Sequence, residues 1–347
     1  MRKHCPTVEE IMFYKKSELF KKERKGIRCL ACNFNCLIPQ EKHGRCMVRY
    51  NKGGELFVPY NYVSSYGLDP VEKKPVYHFL PGSFTFSFGM YGCNFRCECC
   101  QNWEISQNLG DLYKISSDEI IQIASQNDIR VFVSTYNEPT ITVEWAFEIF
   151  DKAKRKIKDA KTGFVSNGYL SKECLNFIKE KIDFIRVDLK SFDKERYKKL
   201  TGGAELDKLL LSIEEIYRSS IHIELVTLVI DDFNDSEDEI KKMAYYIKSL
   251  SPSIPWHLTR FHPAYKMIDR KATDVDKIER LIEVAKNCGI FYVYGGNYLT
   301  ENLNTVCPGC GKVLIERDYM SLRKSNISAK DGKGYCPYCG FEIYGVF

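Results

Sequence analysis

The segment Met90-Tyr-Gly-Cys-Asn-Phe-Arg-Cys-Glu-Cys-Cys-Gln-Asn-Trp103 contains Cys93, Cys97 and Cys100 in a C-x3-C-x2-C spacing. It follows the run Ser83 to Met90, whose alternating aromatic residues predict a strand that ends at the loop. A [4Fe-4S] cluster is normally held by four thiolates, so a loop with three leaves one iron open to an outside ligand. The alternatives are three structural thiols or a zinc loop, although a zinc site would normally need a fourth ligand nearby.

Length and composition favour an enzyme-sized protein of two or three domains, since the chain has 347 residues. Its fifteen cysteines, without an apolar signal-peptide core, predict reduced thiols that bind metal in the cytoplasm. The sequence contains no unbroken apolar run long enough to cross a membrane. A formal net charge of +5 gives no general indication of a nucleic-acid partner.

One local cluster of basic residues lies between Lys15 and Arg28, just before the first group of cysteines. The simpler interpretation is the solvated face of a helix. The alternative is a patch that binds RNA or a protein partner.

The region after Cys100 alternates between β-rich runs and amphipathic runs, which predicts parallel strands with right-handed helical crossovers. The expected strands are Arg130 to Thr135, Gly163 to Ser166, Phe184 to Lys190, His222 to Ile230, His257 to Phe261 and Phe291 to Tyr294. The expected helices include Thr142 to Lys158, Lys194 to Ser219 and Asp235 to Leu250. We therefore expect an α/β fold, a partial TIM-like barrel of the (β/α)6 type, with its site at the C-terminal strand ends. The expected domains are residues 1–80, 81–300 and 301–347.

Two further groups of four cysteines flank the predicted barrel. The C-terminal group is Cys307, Cys310, Cys336 and Cys339. Its two knuckles, each followed by a glycine, predict a closed four-sulfur site that favours structural zinc over a rubredoxin-like iron. The N-terminal group is Cys29, Cys32, Cys36 and Cys46. Its spacing fits zinc and a second, auxiliary iron-sulfur cluster equally well. The other thiols, Cys5, Cys174 and Cys288, follow no pattern and are interpreted as ordinary residues.

The central loop, with Gly92-Cys93-Asn94-Phe95 before it and Gln101-Asn102 after it, resembles the radical S-adenosylmethionine (radical SAM) enzymes. The resemblance implies that the open iron is chelated by S-adenosylmethionine and that one electron cleaves it to a 5'-deoxyadenosyl radical. Cys99 departs from the family, where an aromatic residue is common at this position. It also provides an alternative third ligand in place of Cys100.

Polar segments after two predicted strands resemble cofactor contacts of the pyruvate formate-lyase activating enzymes. The resemblance implies that Asn137 and Glu138 bind the amino group of S-adenosylmethionine, a role that suits an acceptor-rich turn. The same segment also fits a helix start with Thr140 as N-cap and Glu144 in the first turn. After the next strand, the resemblance places Ser166 and Asn167 near the cofactor. Val165 is a departure, because activating enzymes can carry an acidic residue there.

Two later strand ends complete the set of cofactor-binding candidates. Asp188 and Lys190 lie on the same side of a strand because side chains repeat every two residues. By resemblance, Lys190 pairs with the cofactor carboxylate and Asp188 orients it; alternatively, the two only pair with each other. His262, directly after another strand, resembles a histidine that reaches the cofactor.

The segment from Asp69 to Ser83, together with the two flanking cysteine groups, resembles the radical SAM protein of the AmmeMemoRadiSam system. This resemblance implies AMMECR-type and Memo-type partner proteins and a reductant such as flavodoxin or ferredoxin. The leading hypothesis is hydrogen abstraction from an unidentified substrate. The alternatives are activation of a glycyl-radical partner and a non-catalytic scaffold that binds several metals and RNA or protein.

Overall fold

A computed structural model describes residues 14–108 and 112–347, which form two compact units. Unit 1 comprises residues up to Leu68, Thr85–Asp183 and Leu200–Ile221. Unit 2 comprises Asp69–Phe84, Phe184–Lys199 and His222–Phe347. Cys5 lies outside the described residues. No helix among those described is long and apolar enough to cross a membrane.

Strands and helices alternate through the middle of the chain. The strands are β1 (Tyr14–Lys16), β2 (Phe20–Glu23), β3 (Gly26–Cys29), β4 (Leu37–Ile38), β5 (Tyr50–Lys52), β6 (Glu55–Pro59), β7 (Tyr62–Val63), β8 (Ser65–Pro70), β9 (Phe84–Gly89), β10 (Tyr113–Lys114), β11 (Val131–Ser134), β12 (Lys161–Ser166), β13 (Phe184–Asp188), β14 (His222–Val229), β15 (Trp256–Arg260), β16 (Val293–Gly296), β17 (Thr305–Val306), β18 (Val313–Asp318), β19 (Ser321–Ser325), β20 (Ser328–Lys330), β21 (Lys333–Tyr335) and β22 (Glu342–Ile343). The α-helices are α1 (Trp103–Ser106), α2 (Ser117–Gln126), α3 (Val143–Lys156), α4 (Lys172–Ile178), α5 (Lys194–Thr201), α6 (Leu206–Arg218), α7 (Glu237–Leu250) and α8 (Val275–Asn287).

In unit 1, the parallel strands β9, β11 and β12 lie side by side, with β11 in the centre. Strand β11 is buried along its whole length, as expected for a parallel strand covered on both faces. Helix α3 supplies Trp145 and Phe150, both fully buried. Two small antiparallel sheets, β1-β6-β5 and β2-β3-β4, precede these strands in the chain.

In unit 2, β13, β14, β15 and β16 pair in parallel in chain order. Helices α7 and α8 bury one face each, and Trp256 at the start of β15 is fully buried. The antiparallel sheets β17-β18-β19 and β20-β21-β22 follow. The prediction of an α/β fold with parallel strands is therefore confirmed.

Two local predictions are wrong. The single helix expected from Lys194 to Ser219 is two helices, α5 and α6, because Gly202 and Gly203 adopt φ values of +73° and +119°. A side chain at Gly202 would also meet the Cβ of Arg96 at 2.7 Å. The basic residues from Lys15 to Arg28 lie on β1, β2 and β3 and in the turn between β2 and β3 rather than on a helix. Lys16 and Lys22 form ion pairs with Glu55.

Candidate active site and cysteine centres

The Cys93 loop leaves the C-terminal end of β9 in unit 1. Cys97 is buried, whereas Cys93 and Cys100 are partly exposed. The backbone N–H of Phe95 donates to the Cys93 sulfur at 3.4 Å, and the N–H of Cys100 donates to the carbonyl of Cys97 at 3.3 Å. Burial, and then the nearby Glu138 carboxylate, raise the pKa of the Cys93 thiol to about 12. A cationic metal core would deprotonate a thiol in this position.

Asn137 holds the strand that leads into this loop. Its side-chain oxygen accepts from the N–H of Met90 at 3.0 Å, and its Nδ2 donates to the carbonyl of Gly92 at 3.0 Å. Tyr136, just before it, adopts a φ of +69°. Both ends of the Asn137 amide are thus engaged by the backbone between β9 and Cys93.

Glu138 is 1% exposed, and its carboxylate accepts hydrogen bonds from groups that follow β11 and from groups at the end of β12. One carboxylate oxygen accepts from the N–H of Thr140 at 3.0 Å and from the Ser166 hydroxyl at 2.8 Å, and the Thr140 hydroxyl also donates to it. The other oxygen accepts from the N–H of Asn167 at 2.8 Å. Burial raises the pKa of Glu138, although these donors oppose the rise.

Glu138 therefore caps the short 3-10 turn Pro139–Thr142, so the expectation that Thr140 is the N-cap is wrong. The carboxylate performs this role because it reaches the Thr140 N–H. Glu144 does lie in the first turn of α3, as expected.

Asn167 connects the end of β12 with the cysteine loop. Its Nδ2 donates to the Asn94 side-chain oxygen at 2.7 Å and lies 4.0 Å from the Cys93 sulfur. Its Oδ1 accepts from the N–H of Tyr169 at 3.1 Å. Within unit 1, the structure thus brings Glu138, Ser166 and Asn167 together beside Cys93.

In unit 2, Asp188 and Lys190 form an ion pair with each other, which is the alternative that the sequence analysis left open. The Lys190 ammonium lies 2.8 Å from one Asp188 oxygen, and Arg186 Nη1 donates to the other oxygen. Burial alone would raise the pKa of Asp188, but Arg186 and Lys190 outweigh it and lower the pKa. The sequence analysis missed Arg186, although its i−2 spacing from Asp188 on β13 places both on one face.

His262 is partly exposed, and its Nε2 lies 3.3 Å from the carbonyl of Asn297. The adjacent Asn297 donates through Nδ2 to the carbonyl of Arg260 at 3.0 Å. These contacts join the end of β15 to the end of β16.

A buried polar cluster at the start of β14 was also missed by the sequence analysis. Glu224, 1% exposed, accepts from His222 Nε2 at 3.1 Å, from His257 Nε2 at 2.8 Å and from the N–H of His78 at 2.7 Å. Burial raises the pKa of Glu224, but the two imidazoles outweigh it and hold the pKa well below its usual value. The signal for this cluster was the pair His222 and Glu224 on one strand face.

The segment from Asp69 to Ser83 is held in unit 2 by buried polar contacts. Asp69 accepts from Lys74 at 2.7 Å, and Glu72 accepts from the N–H of Gly82 at 2.7 Å. His78 Nε2 lies 2.6 Å from the hydroxyl of Tyr294. These contacts account for Asp69, Glu72, Lys74 and His78 of the segment.

The N-terminal cysteines lie around the β3-β4 hairpin in unit 1. Cys29, Cys32 and Cys46 are buried and Cys36 is partly exposed, and the N–H of Cys29 donates to the carbonyl of Cys36 at 2.9 Å. Burial, and to a smaller extent the neighbouring thiols Cys46 and Cys36, raise the pKa of Cys29 to about 11, although Arg49 opposes the rise. Arg49, also buried, pairs with Glu144 of α3 at 2.7 Å.

The C-terminal cysteines form a compact four-sulfur group in unit 2. All four sulfurs lie within 4.8 Å of one another, and the Cys307–Cys339 and Cys310–Cys336 sulfur pairs are each 3.6 Å apart. A tetrahedral ion with bonds of about 2.3 Å requires sulfurs roughly 3.8 Å apart, so the group fits one ion. Gly311 and Gly340 adopt φ values of +71° and +76°, and the tight turns predicted there are confirmed.

The chain is similar in sequence to several known proteins. The sequence model described as the Radical SAM superfamily matches residues 88–244, which include the Cys93 loop, Glu138, Asn167 and Asp188. An uncharacterized protein of Methanocaldococcus jannaschii is 32% identical over 342 residues, 97% of this chain and 99% of that protein. A putative glycyl-radical enzyme activating enzyme of the same organism is 28% identical over 207 residues, 56% of this chain and 74% of that protein.

The solved structure of Streptococcus suis SuiB aligns with this chain at 14% identity and a TM-score of 0.49. The alignment covers 65% of this chain and 52% of SuiB.

Proposed function

Because the chain belongs to the radical SAM superfamily, we propose that it is an enzyme that cleaves S-adenosylmethionine reductively to methionine and a 5'-deoxyadenosyl radical. The radical would abstract hydrogen from a substrate. The supporting observation is the loop at the end of β9, where Cys93 accepts a backbone hydrogen bond and lies beside Asn167. Cys93, Cys97 and Cys100 would hold a [4Fe-4S] cluster whose fourth iron is open.

Residues in each unit, taken by itself, are proposed to contact S-adenosylmethionine. In unit 1, Glu138, Ser166 and Asn167 form a buried, hydrogen-bonded group beside Cys93. We propose that the Glu138 carboxylate, together with Asn137, binds the ammonium of the cofactor. In unit 2, Lys190 would pair with the cofactor carboxylate, and Asp188 would hold the Lys190 ammonium in place. His262 is proposed as a further contact to the cofactor. Among the described residues, the hydrogen-bond partner of its ring is one backbone carbonyl, that of Asn297.

A one-electron reductant such as flavodoxin or ferredoxin would supply the electron for cleavage. The protein would position the reactants and exclude water, while the cluster carries the redox step. Thiols with raised pKa values, such as Cys93, depend on the metal core for deprotonation.

Anaerobic turnover with dithionite tests the proposed reaction. Reconstituted protein should release 5'-deoxyadenosine and methionine in equal amounts, and Cys97→Ser should abolish both products. Cys174→Ser is the matched control, because Cys174 is buried and lies outside the three cysteine groups. Release of methylthioadenosine, or of no product from protein with a full cluster, would contradict the proposal.

For the C-terminal group we propose structural zinc. Sulfur separations of 3.6 Å support a single ion, and a closed four-cysteine site is the usual structural zinc arrangement. A rubredoxin-like iron is the alternative. Metal analysis with an absorption spectrum separates the two, since zinc is colourless.

The second candidate function is activation of a glycyl-radical partner enzyme. It is supported by the 28% identity to the putative glycyl-radical enzyme activating enzyme of Methanocaldococcus jannaschii. In this case, incubation with a partner, S-adenosylmethionine and reductant would produce a glycine-centred EPR doublet on the partner. A doublet on no candidate protein, with 5'-deoxyadenosine still released, would favour the first candidate.

We also propose membership of the AmmeMemoRadiSam system, with AMMECR-type and Memo-type proteins as partners. The sequence from Asp69 to Ser83 and the two flanking cysteine groups support this assignment. Copurification of tagged, coexpressed proteins tests it. The absence of a complex at micromolar concentrations, with each protein folded, would count against direct binding.

A further inference from the structure

The N-terminal cysteine group and the Cys93 loop are in direct contact within unit 1. Gly92 adopts a φ of +80°, and a side chain there would lie 2.4 Å from the carbonyl oxygen of Cys46. Arg45 donates through Nε to the carbonyl of Asn94 at 2.8 Å, and Arg96 donates to the carbonyl of Arg45. The two groups of cysteines are therefore packed against each other.

One side chain, Asn94, lies between the two groups. It is 1% exposed, its Oδ1 lies 3.7 Å from the Cys93 sulfur, and its amide lies beside the Cys32 sulfur. Apart from that sulfur, the Nδ2 group has no hydrogen-bond partner among the described residues. A buried N–H without an acceptor costs about 1–3 kcal/mol, so this amide favours an acceptor such as a metal-bound thiolate or an inorganic sulfide on the Cys32 side.

The spread of the N-terminal sulfurs differs from that of the C-terminal group. Within the described part of the chain, the C-terminal cysteines form the group whose ligand atoms all lie within 4.8 Å of one another. The N-terminal thiols do not meet this distance, although Cys36 and Cys46 are close enough to raise the pKa of Cys29, and Cys36 also raises the pKa of Cys46. The sulfurs of Cys93, Cys97 and Cys100 also do not all lie within 4.8 Å of one another, so they are spread more widely than the C-terminal sulfurs. A cubane spaces its thiolates more widely than one ion does, because each sulfur binds a different iron.

The charge around both groups is suited to anionic centres. Arg45 faces Cys36, Cys32 and Cys93 and donates to the carbonyls of Asn94 and Gly202. In the part of the chain that the structure describes, it forms no ion pair with a carboxylate. Its charge is therefore available to the cysteine groups.

We infer that Cys29, Cys32, Cys36 and Cys46 hold a second iron-sulfur cluster, and that Asn94 separates it from the Cys93 cluster as the bridge for electron transfer. A one-electron carrier protein reduces the N-terminal cluster from the 2+ to the 1+ core. The same electron then reduces the Cys93 cluster from 2+ to 1+ and returns the N-terminal cluster to 2+. No bond forms or breaks in this relay. The relay rests on the proposed function, because its electron acceptor is the Cys93 cluster. The assignment of an iron-sulfur cluster to the N-terminal cysteines does not rest on it.

The first experiment counts metals in a variant without the Cys93 cluster. Anaerobically reconstituted Cys93→Ser/Cys97→Ser/Cys100→Ser protein should contain about four irons and four sulfides per chain. Dithionite should produce an EPR signal that S-adenosylmethionine leaves unchanged. Zinc in place of iron at the N-terminal group would overturn the proposal, and this result would leave cleavage of S-adenosylmethionine by the wild type unaffected.

A second measurement avoids the risk that the triple variant does not fold. Mössbauer spectra of the wild type should contain two clusters, of which S-adenosylmethionine perturbs one. Spectra that contain only one cluster, perturbed by S-adenosylmethionine, would overturn the proposal of a second cluster.

The relay is tested with Cys32→Ser/Cys36→Ser protein, which keeps the Cys93 loop. Reduction of its Cys93 cluster by photoreduced flavodoxin should be at least tenfold slower than in the wild type, and dithionite should still support cleavage. The reduced wild type should also show spin coupling that this variant lacks. Equal reduction rates would overturn the relay.

Discussion

The Glu138 carboxylate accepts a hydrogen bond from the backbone N–H of Asn167 at 2.8 Å. The contact ties the end of β11 to the end of β12, and the Asn167 side chain then lies 4.0 Å from the Cys93 sulfur. Glu138 is thus a positioning residue for the cysteine loop in addition to its proposed role toward the cofactor. Its burial makes the loop sensitive to any change in this carboxylate.

The variant Glu138→Gln should therefore destabilise the protein by about 2–4 kcal/mol, because its amide N–H₂ would face donors that need an acceptor. Urea unfolding of the reconstituted protein measures the loss. Glu173→Gln, at an exposed position in α4, should change stability by less than about 0.5 kcal/mol. Equal stability of the two variants would mean that the Glu138 contacts are not important for stability.

Replacing Lys190 tests the proposed cofactor contact in unit 2. Lys190→Met should weaken the binding of S-adenosylmethionine by roughly 10- to 100-fold, since a charged hydrogen bond contributes about 1.5–3 kcal/mol. Arg186 still pairs with Asp188 in this variant, so the fold should be kept. Equilibrium dialysis with exposed Lys271→Met as the control measures the effect. An unchanged affinity would mean that Lys190 does not contact S-adenosylmethionine.

The buried His78 makes stability depend on pH. Burial lowers its pKa to about 3, against an unfolded value of about 6.5, so below pH 6.5 the unfolded chain binds a proton that the folded chain does not. Its contribution is therefore present above pH 6.5 and is lost as the pH falls. Between pH 7.5 and 5.5, the free energy of unfolding should decrease by about 1.4 kcal/mol from this group alone.

His78→Gln isolates that contribution from other titrating groups, because both proteins keep the same metal sites. The decrease between the two pH values should be smaller in the variant by about 1.4 kcal/mol. Parallel pH profiles would show that His78 titrates normally in the folded protein.

The C-terminal group should retain its metal only with all four sulfurs. Cys310→Ser should lose about one zinc per chain and lower the melting temperature, because structural zinc contributes directly to folding. Cys288→Ser is the control, since this cysteine lies outside the group. Full zinc content in Cys310→Ser would contradict a four-sulfur site.

The sequence predicted those features that depend on local patterns. The alternation before Met90 located β9, and the knuckle glycines located the turns at Gly311 and Gly340. The Glu224 cluster includes His78, 146 residues away along the chain, and the local spacing of His222 and Glu224 does not indicate that contact. The break between α5 and α6 depends on the approach of Gly202 to Arg96, which is also a contact distant in sequence. Tertiary contacts of this kind override local propensity, so these two features could not be predicted from the sequence.

The charge of Arg45 gives a last prediction, on the reduction potential of the Cys93 cluster. Arg45→Gln should lower this potential by roughly 40 mV, which corresponds to about 1 kcal/mol for one electron, because a nearby cation favours the reduced, more negative cluster. Arg45→Lys keeps the charge and should stay closer to the wild type. An EPR-monitored redox titration of the three proteins measures the shifts. If the Gln and Lys variants shifted equally, the hydrogen bond from Arg45 to the Asn94 carbonyl, rather than its charge, would be the feature that matters.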